Sequence, residues 1–375
     1  MLRRNVNPFI RNRRETGPFA VLLSPSGNRQ NLPIATACDP FTMTLTQLRY
    51  FIAIADSGLN ITAAAERVHA TQPGVSKQLK QLEDELGFQL FSRKGKSLHE
   101  ITPAGQQVLD RARTIITEAT NIRSIAADLR GDEEGELVIA TTHTQARFVL
   151  PGAIAALKQR YPSVSVHLKP QGDAQVIGAF QRGQADLAIV STSDTVPEGG
   201  LAVPLFRWQR AVVVPRGHIL AGLNRRLTLA DLARHPLVSY ESSLRPESSL
   251  RQAFASAGQT PQFAFTSRDA DLIKTYVRAG LGVGVLAEMA LLAEDNRDLH
   301  VLDAQDLLPS CTTWLLLRHD RVPRSYALTL VELIAPQLDR RDLQRALAGD
   351  TPVQWPVAPT WSEQQVGIRI VAHVA

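Results

Sequence analysis

The stretch from Thr44 to Ile101 constrains the fold of this 375-residue chain more than any other. Leu45, Leu48, Phe51, Ile52 and Ala55 recur at helical spacing and end at Ser57-Gly58, a C-terminal stop. Asn60 suits the N-cap of a second short helix over 61–68. After a turn at His69-Ala70-Thr71-Gln72, Pro73 fits the first position of a third helix. That helix carries Val75, Leu79, Leu82 and Leu86 on one face before Gly87 ends it. Residues 91–101 then read as a tight hairpin with Gly95 at its tip. This order predicts a winged helix-turn-helix over 43–103.

In such a unit the second helix of the pair enters the major groove by its N-terminal side chains. Ala63-Ala64-Ala65 supplies the small residues that a close helix crossing needs. Thr71, Gln72, Pro73, Ser76, Lys77 and Gln78 crowd the first turns of the recognition helix. Gln can bond adenine bidentately, Ser suits a phosphate, and Lys suits a phosphate or guanine. Arg93, Lys94 and Lys96 on the hairpin suit a minor groove or backbone. Taken singly, each has a dull reading as helix former or solvated turn; their order carries the weight. The net charge of +5 does not, because residues 1–42 hold +4 of it: six arginines against Glu15 and Asp39.

Thr102-Pro103 opens a long helix to about Arg130. Val108, Ala112, Ile115, Ala119, Ile122, Ala126 and Leu129 alternate spacings of four and three, the seam of a coiled coil. That favours self-association over a lone amphipathic helix packed on its own domain. Gly131–Gly135 reads as a polar hinge closing a linker segment over 104–134.

Strand-like runs come next at 137–140, 164–168, 187–190, 211–214, 236–240, 263–266, 282–286 and 314–317. Helical runs fit 148–160, 174–182, 229–234, 246–257, 270–279 and 325–338. This alternation predicts an α/β fold with mostly parallel sheets, in two lobes with a cleft between them over 135–340. Residues 341–375, rich in Pro, Gln, Trp and Val, read as an extension without a clear element. Residues 1–42 read as a disordered extension, or as sequence upstream of a true start at Met43; a basic arm on DNA phosphates is the alternative. Cys38 and Cys311 lie far apart with no metal-site spacing, which fits a reduced, cytoplasmic setting. No apolar run is long enough to span a membrane.

The runs Leu48-Arg49-Tyr50-Phe51, Ala64-Ala65-Glu66, Thr71 to Gln78, Leu82 to Gly87, Leu90 to Arg93 and Thr102-Pro103-Ala104-Gly105 resemble the LysR-type transcriptional regulators. The likeness covers roughly 43–340. Residues 139–147, 266–278 and 280–285 are similar to the CysB-like subgroup. The resemblance implies a winged helix-turn-helix, a linker-helix dimer or tetramer, and a two-lobed, periplasmic-binding-protein-like effector domain. It implies double-stranded promoter DNA and RNA polymerase as partners, and control of sulfur assimilation, cysteine synthesis or organosulfur use. Its effectors are sulfate, thiosulfate or acetylserine-type molecules; it implies no cofactor and no metal.

Carried over by position, the anion-binding residues are Thr142, Thr144 and Gln145, with Ser191 and Trp208 beside them. Hydroxyls, an amide and free N–H groups at a helix start can hold a compact oxyanion without a charged side chain. The sequence departs from the subgroup at Tyr240–Ser249, where a Thr-Gly-Arg-Ser-type loop is expected, apparently with one residue inserted. Ser242, Ser243 and Ser248 are candidates to replace the hydroxyl, and Arg245 to strengthen anion binding or select a further carboxylate or sulfonate. A surface loop with a solvated arginine remains the other reading.

A solute-binding protein would share the two lobes but not the helix-turn-helix. An enzyme has little support: the nine histidines are scattered without an HExxH pattern, and Gly280-Leu-Gly-Val-Gly284 lacks the GxGxxG order. Gly282 and Gly284 are expected instead to let a turn and strand pack closely.

Overall fold

A computed structural model describes residues 43–365 except 96, 194, 305 and 350–352. The expectations for 1–42, Lys96 and 366–375 lie outside the described residues.

The first helix, α1 (Leu45–Asp56), begins at a capping box in which Thr44 and Gln47 satisfy each other's backbone N–H. Asn60 caps α2 (Ile61–Arg67) and Thr71 caps α3 (Gln72–Leu86), each accepting from a free N–H of the first turn. Phe51, Ala64, Val75, Leu79 and Leu82 close the core between them. Strands β1 (Phe91–Lys94) and β2 (Ser97–Ile101) form the expected antiparallel hairpin. Phe91 meets Phe51 edge-on at 5.3 Å.

The long helix α4 (Pro103–Arg130) runs 28 residues. Its Gly105 is required by a close approach, since an added Cβ would stand 2.1 Å from the Leu90 carbonyl oxygen. The N-terminal half packs Leu109 and Ala112 into the helical module. On the expected seam, Ile115, Ile122 and Leu129 stay exposed, Leu129 at 84%.

The adjoining flank of α4 docks on the α/β domain. Asn121 donates to the Asp320 carbonyl at 2.9 Å and accepts from Val322 N–H at 3.0 Å. Asp128 accepts from Arg324 at 2.7 Å and from Ser325 N–H at 3.1 Å, and Arg324 also reaches the Asp132 carbonyl. The segment expected to be a hinge is therefore pinned.

Lobe I starts with β3 (Gly135–Thr141), α5 (His143–Phe148), α6 (Leu150–Arg160), β4 (Val164–Pro170), α7 (Asp173–Gln181), β5 (Leu187–Thr192) and β6 (Leu201–Trp208). The chain then crosses to lobe II: β7 (Arg210–Pro215), α8 (Leu229–Ala233), β8 (Leu237–Tyr240), α9 (Ser249–Ser256), β9 (Phe263–Ser267), α10 (Ala270–Arg278), β10 (Val283–Ala287) and β11 (Leu299–Leu302). It returns to lobe I for β12 (Cys311–Leu317), α11 (Ser325–Ile334) and α12 (Arg340–Ala348).

The sheet orders are β4-β3-β5-β12-β6 and β11-β7-β10-β8-β9. Both are mixed rather than mostly parallel. The strands adjoining each crossing run antiparallel: β12 against β5 and β6, and β7 against β10 and β11.

Two strands escaped the sequence pattern, β6 and β11. Both are edge strands; β6 contains Pro204, which an edge tolerates, and β11 has only four residues. The helix expected at 148–160 is α6, over Leu150–Arg160; a further short helix, α5, precedes it and ends at Phe148, because Pro151 cannot donate back to that turn. Gly282 does serve close packing: an added Cβ would lie 2.1 Å from the Pro236 carbonyl oxygen. Among the described residues no helix is long and apolar enough to cross a membrane.

The largest departure lies beyond 341, which is no loose extension. Helix α12 buries Leu343, and residues 353–365 strap the outer edge of β6. Arg207 N–H donates to the Pro359 carbonyl at 2.7 Å, and its guanidinium to the Ala358 carbonyl at 3.0 Å. Trp361 is buried with its ring 5.1 Å from Phe206, and the Gln364 amide donates to the Ile334 carbonyl. Proline-rich spacing hid this packing, since an irregular strap has no period to read. Trp361→Ala is expected to destabilise the domain by about 3 kcal/mol, seen as a lower urea midpoint; unfolding at the parent's midpoint would show that the strap contributes nothing.

Candidate functional site

The helical module presents its recognition turn to solvent. Thr71, Gln72, Pro73 and Lys77 are exposed, and Ser76 and Gln78 half-buried. The Thr71 hydroxyl is committed to the cap, accepting from Gly74 N–H at 3.3 Å. The Gln72 amide donates to the Ser76 hydroxyl at 3.0 Å, one turn on, which orders two of the expected base-facing groups together.

Arg93 and Lys94 lie exposed on β1, but Arg93 is not a free cation. It donates to Glu83 at 2.9 Å. Glu83, buried at 8% exposure, also accepts from Leu90 N–H at 2.9 Å and Phe91 N–H at 3.4 Å. One carboxylate thus ties the wing to the recognition helix, and Arg93 positions the wing as well as charging it. The Leu82-Glu83-Asp84 run held that signal, but a buried acid on an amphipathic helix looks like surface until its partners are known.

The second site lies between the lobes, at the end of β3. The Thr142 hydroxyl caps α5, accepting from Gln145 N–H at 3.5 Å. Gln145, 2% exposed, donates its amide to Ser191 at 3.1 Å and Thr313 at 3.3 Å, and these two hydroxyls lie 3.0 Å apart. Trp208 Nε1 donates to the same Ser191 oxygen at 3.3 Å. Thr144, Gln145, Ser191 and Trp208 are thus close together, as expected. Helix α5 has only six residues, so hydroxyls and the amide, rather than a large helix dipole, give the loop its polarity. Two buried oxygens there, Thr141 Oγ1 and Gln145 Oε1, have no hydrogen-bond partner.

Lobe II closes on this loop by different residues from those expected. Thr144 donates to the Tyr240 hydroxyl at 3.3 Å, which also accepts from Ala287 N–H at 3.2 Å. Burial pushes the Tyr240 phenol above its usual range, so it stays neutral. Ser193 of lobe I donates to Ser249 of lobe II at 2.5 Å. Arg210 donates to the same Ser249 oxygen at 2.7 Å and to the Pro309 carbonyl at 2.9 Å. At its far end, α5 is held by the Arg147–Asp271 ion pair.

The loop over 240–249 is engaged mostly with itself. Ser243 is buried against Ser239 at 3.0 Å, and Ser248 caps α9 while donating to the Ser243 carbonyl. Ser242 is half-buried within the loop, and Arg245 is exposed, with its charge acting on half-buried Asp173 of α7. Burial raises the Asp173 carboxyl and Arg245 partly offsets that rise.

Sequence reading missed Tyr240, Thr313, Arg210, Ser193 and Ser249. Each reaches the site through sheet register or lobe contact, as Thr313 does by pairing with Ser191. A cavity of about 540 Å³ lies elsewhere, lined by Gln209, Ala253, Asp306 and Ser310 among others. Its lining holds a carboxylate and no cation, so it does not suit an anion. A smaller space of about 260 Å³ opens beside His143, Arg147 and Asp269, on the flank of α5.

Comparison with known proteins agrees with this architecture. Residues 45–106 match the family model described as bacterial regulatory helix-turn-helix protein, lysR family, and residues 130–339 match the LysR substrate binding domain. The HTH-type transcriptional regulator CysB of Haemophilus influenzae is 40% identical over 304 residues, covering 81% of this chain and 94% of that protein. The regulator SsuR of Burkholderia cenocepacia is 37% identical over 302 residues, covering 80% and 97%. The crystal structure of the cofactor-binding domain of the Cbl transcriptional regulator is similar, with a TM-score of 0.53 and 34% identity, over 58% of this chain and 94% of that one.

Because Glu83 satisfies two buried N–H groups as well as Arg93, Glu83→Ala is expected to destabilise the helical module by about 2 kcal/mol or more. Chemical denaturation followed by far-UV circular dichroism reads this; a change below about 0.5 kcal/mol, the range of ordinary surface substitutions, would refute the clamp.

Proposed function

The chain belongs to the LysR family of transcriptional regulators, and from that premise we propose that it binds promoter DNA in response to a small sulfur-related anion. The observation that carries the reading is a continuous mechanical path. Helix α4 is built into the core of the helical module at one end and bonded through Asn121 and Asp128 to lobe I at the other. Whatever alters the lobes therefore acts on the DNA-facing module without passing through a slack linker.

The proposed DNA contacts are Thr71, Gln72, Ser76, Lys77 and Gln78 on α3, with Arg93, Lys94 and Lys96 on the wing. Gln72 reads a base edge, and Lys77 neutralises a phosphate. Two copies associate through the exposed stripe of Ile115, Ile122, Ile125 and Leu129, which a single chain leaves uncovered. RNA polymerase is the proposed partner at the promoter. The anion is held by Thr142, Thr144, Gln145 and Ser191 beside Trp208. A neutral donor set of hydroxyls and an amide suits a compact oxyanion such as sulfate or thiosulfate. The similarity to CysB and SsuR supports sulfur metabolism as the regulated chemistry.

The test is a promoter-binding titration with sulfate, thiosulfate and acetylserine. Thr144→Ala is expected to abolish the response to the active ligand while leaving ligand-free DNA binding intact. A wild-type protein indifferent to all three would overturn the sulfur reading. On the DNA side, Gln72→Ala is expected to weaken specific binding by about 1–3 kcal/mol, and Lys77→Ala to lower the salt slope by about 1. Unchanged affinity for a mapped operator would remove both from the interface. Ile122→Glu is expected to shift the chain to a smaller species in sedimentation; an unchanged species would place self-association elsewhere.

A further inference from the structure

The loop at Thr142–Gln145 offers hydroxyls and an amide but no counter-charge, and a positive charge nearby would offset part of the cost of taking an anion from water into the cleft. Most basic side chains around the cleft are already engaged with a carboxylate. Arg147 is paired with Asp271, and Lys274 with Asp271 and Asp295. Arg268 is paired with Glu241, and Arg245 is set apart by its exposure to solvent rather than by a partner.

Arg210 differs. Its two hydrogen bonds go to neutral acceptors, the Ser249 hydroxyl and the Pro309 carbonyl, and no carboxylate pairs with it among the described residues. Two of a guanidinium's five N–H groups are thereby used to fix its position, and the rest are left for another acceptor.

Its placement joins it to the loop by two routes. The Arg210 guanidinium lies 5.9 Å from the Trp208 ring, whose Nε1 donates to Ser191. Its charge also reaches the Tyr240 hydroxyl, which is the hydrogen-bond partner of Thr144. Arg210 is half-buried and follows Gln209, the residue at which the chain crosses between lobes. It therefore borders the same space from the lobe II side, fixed at the base where opening displaces it least.

We propose that Arg210, held by Ser249 and Pro309, supplies the positive charge of the effector cleft and selects doubly charged oxyanions such as sulfate over singly charged ones. The assignment rests on the reading of the cleft as an anion site, and it gives that site a charge preference that the hydroxyl-amide loop alone lacks. A guanidinium with free N–H groups beside neutral donors favours a dianion over a monoanion of similar size.

The test is calorimetric titration of the full chain with sulfate and with methanesulfonate, for the parent, Arg210→Met, Arg210→Lys and Thr144→Ala. Arg210→Met is expected to weaken sulfate binding at least tenfold and to shrink the preference for sulfate over methanesulfonate, and Arg210→Lys to restore much of both. Parent-like sulfate affinity in Arg210→Met, alongside loss in Thr144→Ala, would overturn the assignment and leave the anion site standing. Equal weakening of both anions in Arg210→Met without rescue by Arg210→Lys would reduce Arg210 to a scaffold and also overturn it. A parent that binds neither anion would sink the reading of the cleft itself, and this assignment with it.

Discussion

The chain passes between its two lobes twice, once at Gln209 and once in the segment ending at Ser310, and the passages are neighbours. Trp208 pairs with Cys311 across β6 and β12, and the guanidinium of Arg210 ties the first crossing to Pro309 in the second. Two adjacent crossings allow rotation of one lobe against the other and little else. Groups near that seam, such as Ser193, Trp208 and Ser249, keep their relation as the lobes turn. Groups farther out, such as Thr144 with Tyr240 and Arg147 with Asp271, are the ones that rotation would separate. The antiparallel strands that make both sheets mixed are the consequence of those crossings.

The distribution of charge is set by the same arrangement. Lobe II buries an ionic cluster in which Lys274, 2% exposed, meets Asp295 at 2.7 Å and Arg278 meets Asp295 and Asp298. The hydrogen bonds to these bases hold the Asp295 and Asp298 carboxyls below the usual range, although burial of Asp295 opposes this. Lobe I presents hydroxyls and an amide at the facing surface. Charges that already have partners fix geometry, and the hydroxyls of lobe I are the groups left to meet a ligand.

Much of this was legible in the sequence, for reasons that can be stated residue by residue. The three short helices announced themselves by caps at Thr44, Asn60 and Thr71 and by a regular apolar face, all of them local signals. The candidate loop was legible because Thr142, Thr144 and Gln145 follow directly on a strand end and lie where the resemblance puts the family's anion-binding residues. Thr313 was not, since it is 122 residues from the Ser191 hydroxyl it meets and reaches it only through strand register. Tyr240, Arg210 and Ser249 belong to the other lobe, and their role depends on how the lobes face each other. The serines expected at 243 and 248 are spent on holding their own loop, a local use that composition cannot distinguish from a site. Beyond 341, buried Trp361 and Gln364 lay in a segment with no repeating pattern, so neither periodicity nor propensity pointed to a strap.

Helix α4 has a further consequence that comes from its length alone. At a rise of about 1.5 Å per residue, its 28 residues make a rod of about 42 Å. Its lower end is fixed to lobe I by side chains on one flank, and its upper end carries the winged module as a rigid body. From the docked Asn121 to Pro103 the arm is about 27 Å, so a tilt of about 5° at the docked end becomes roughly 2.4 Å at the tip, about two-thirds of the roughly 3.4 Å spacing of nucleotides along one DNA strand. A small change in lobe angle would therefore move the recognition helix by a sizeable part of a base-pair step.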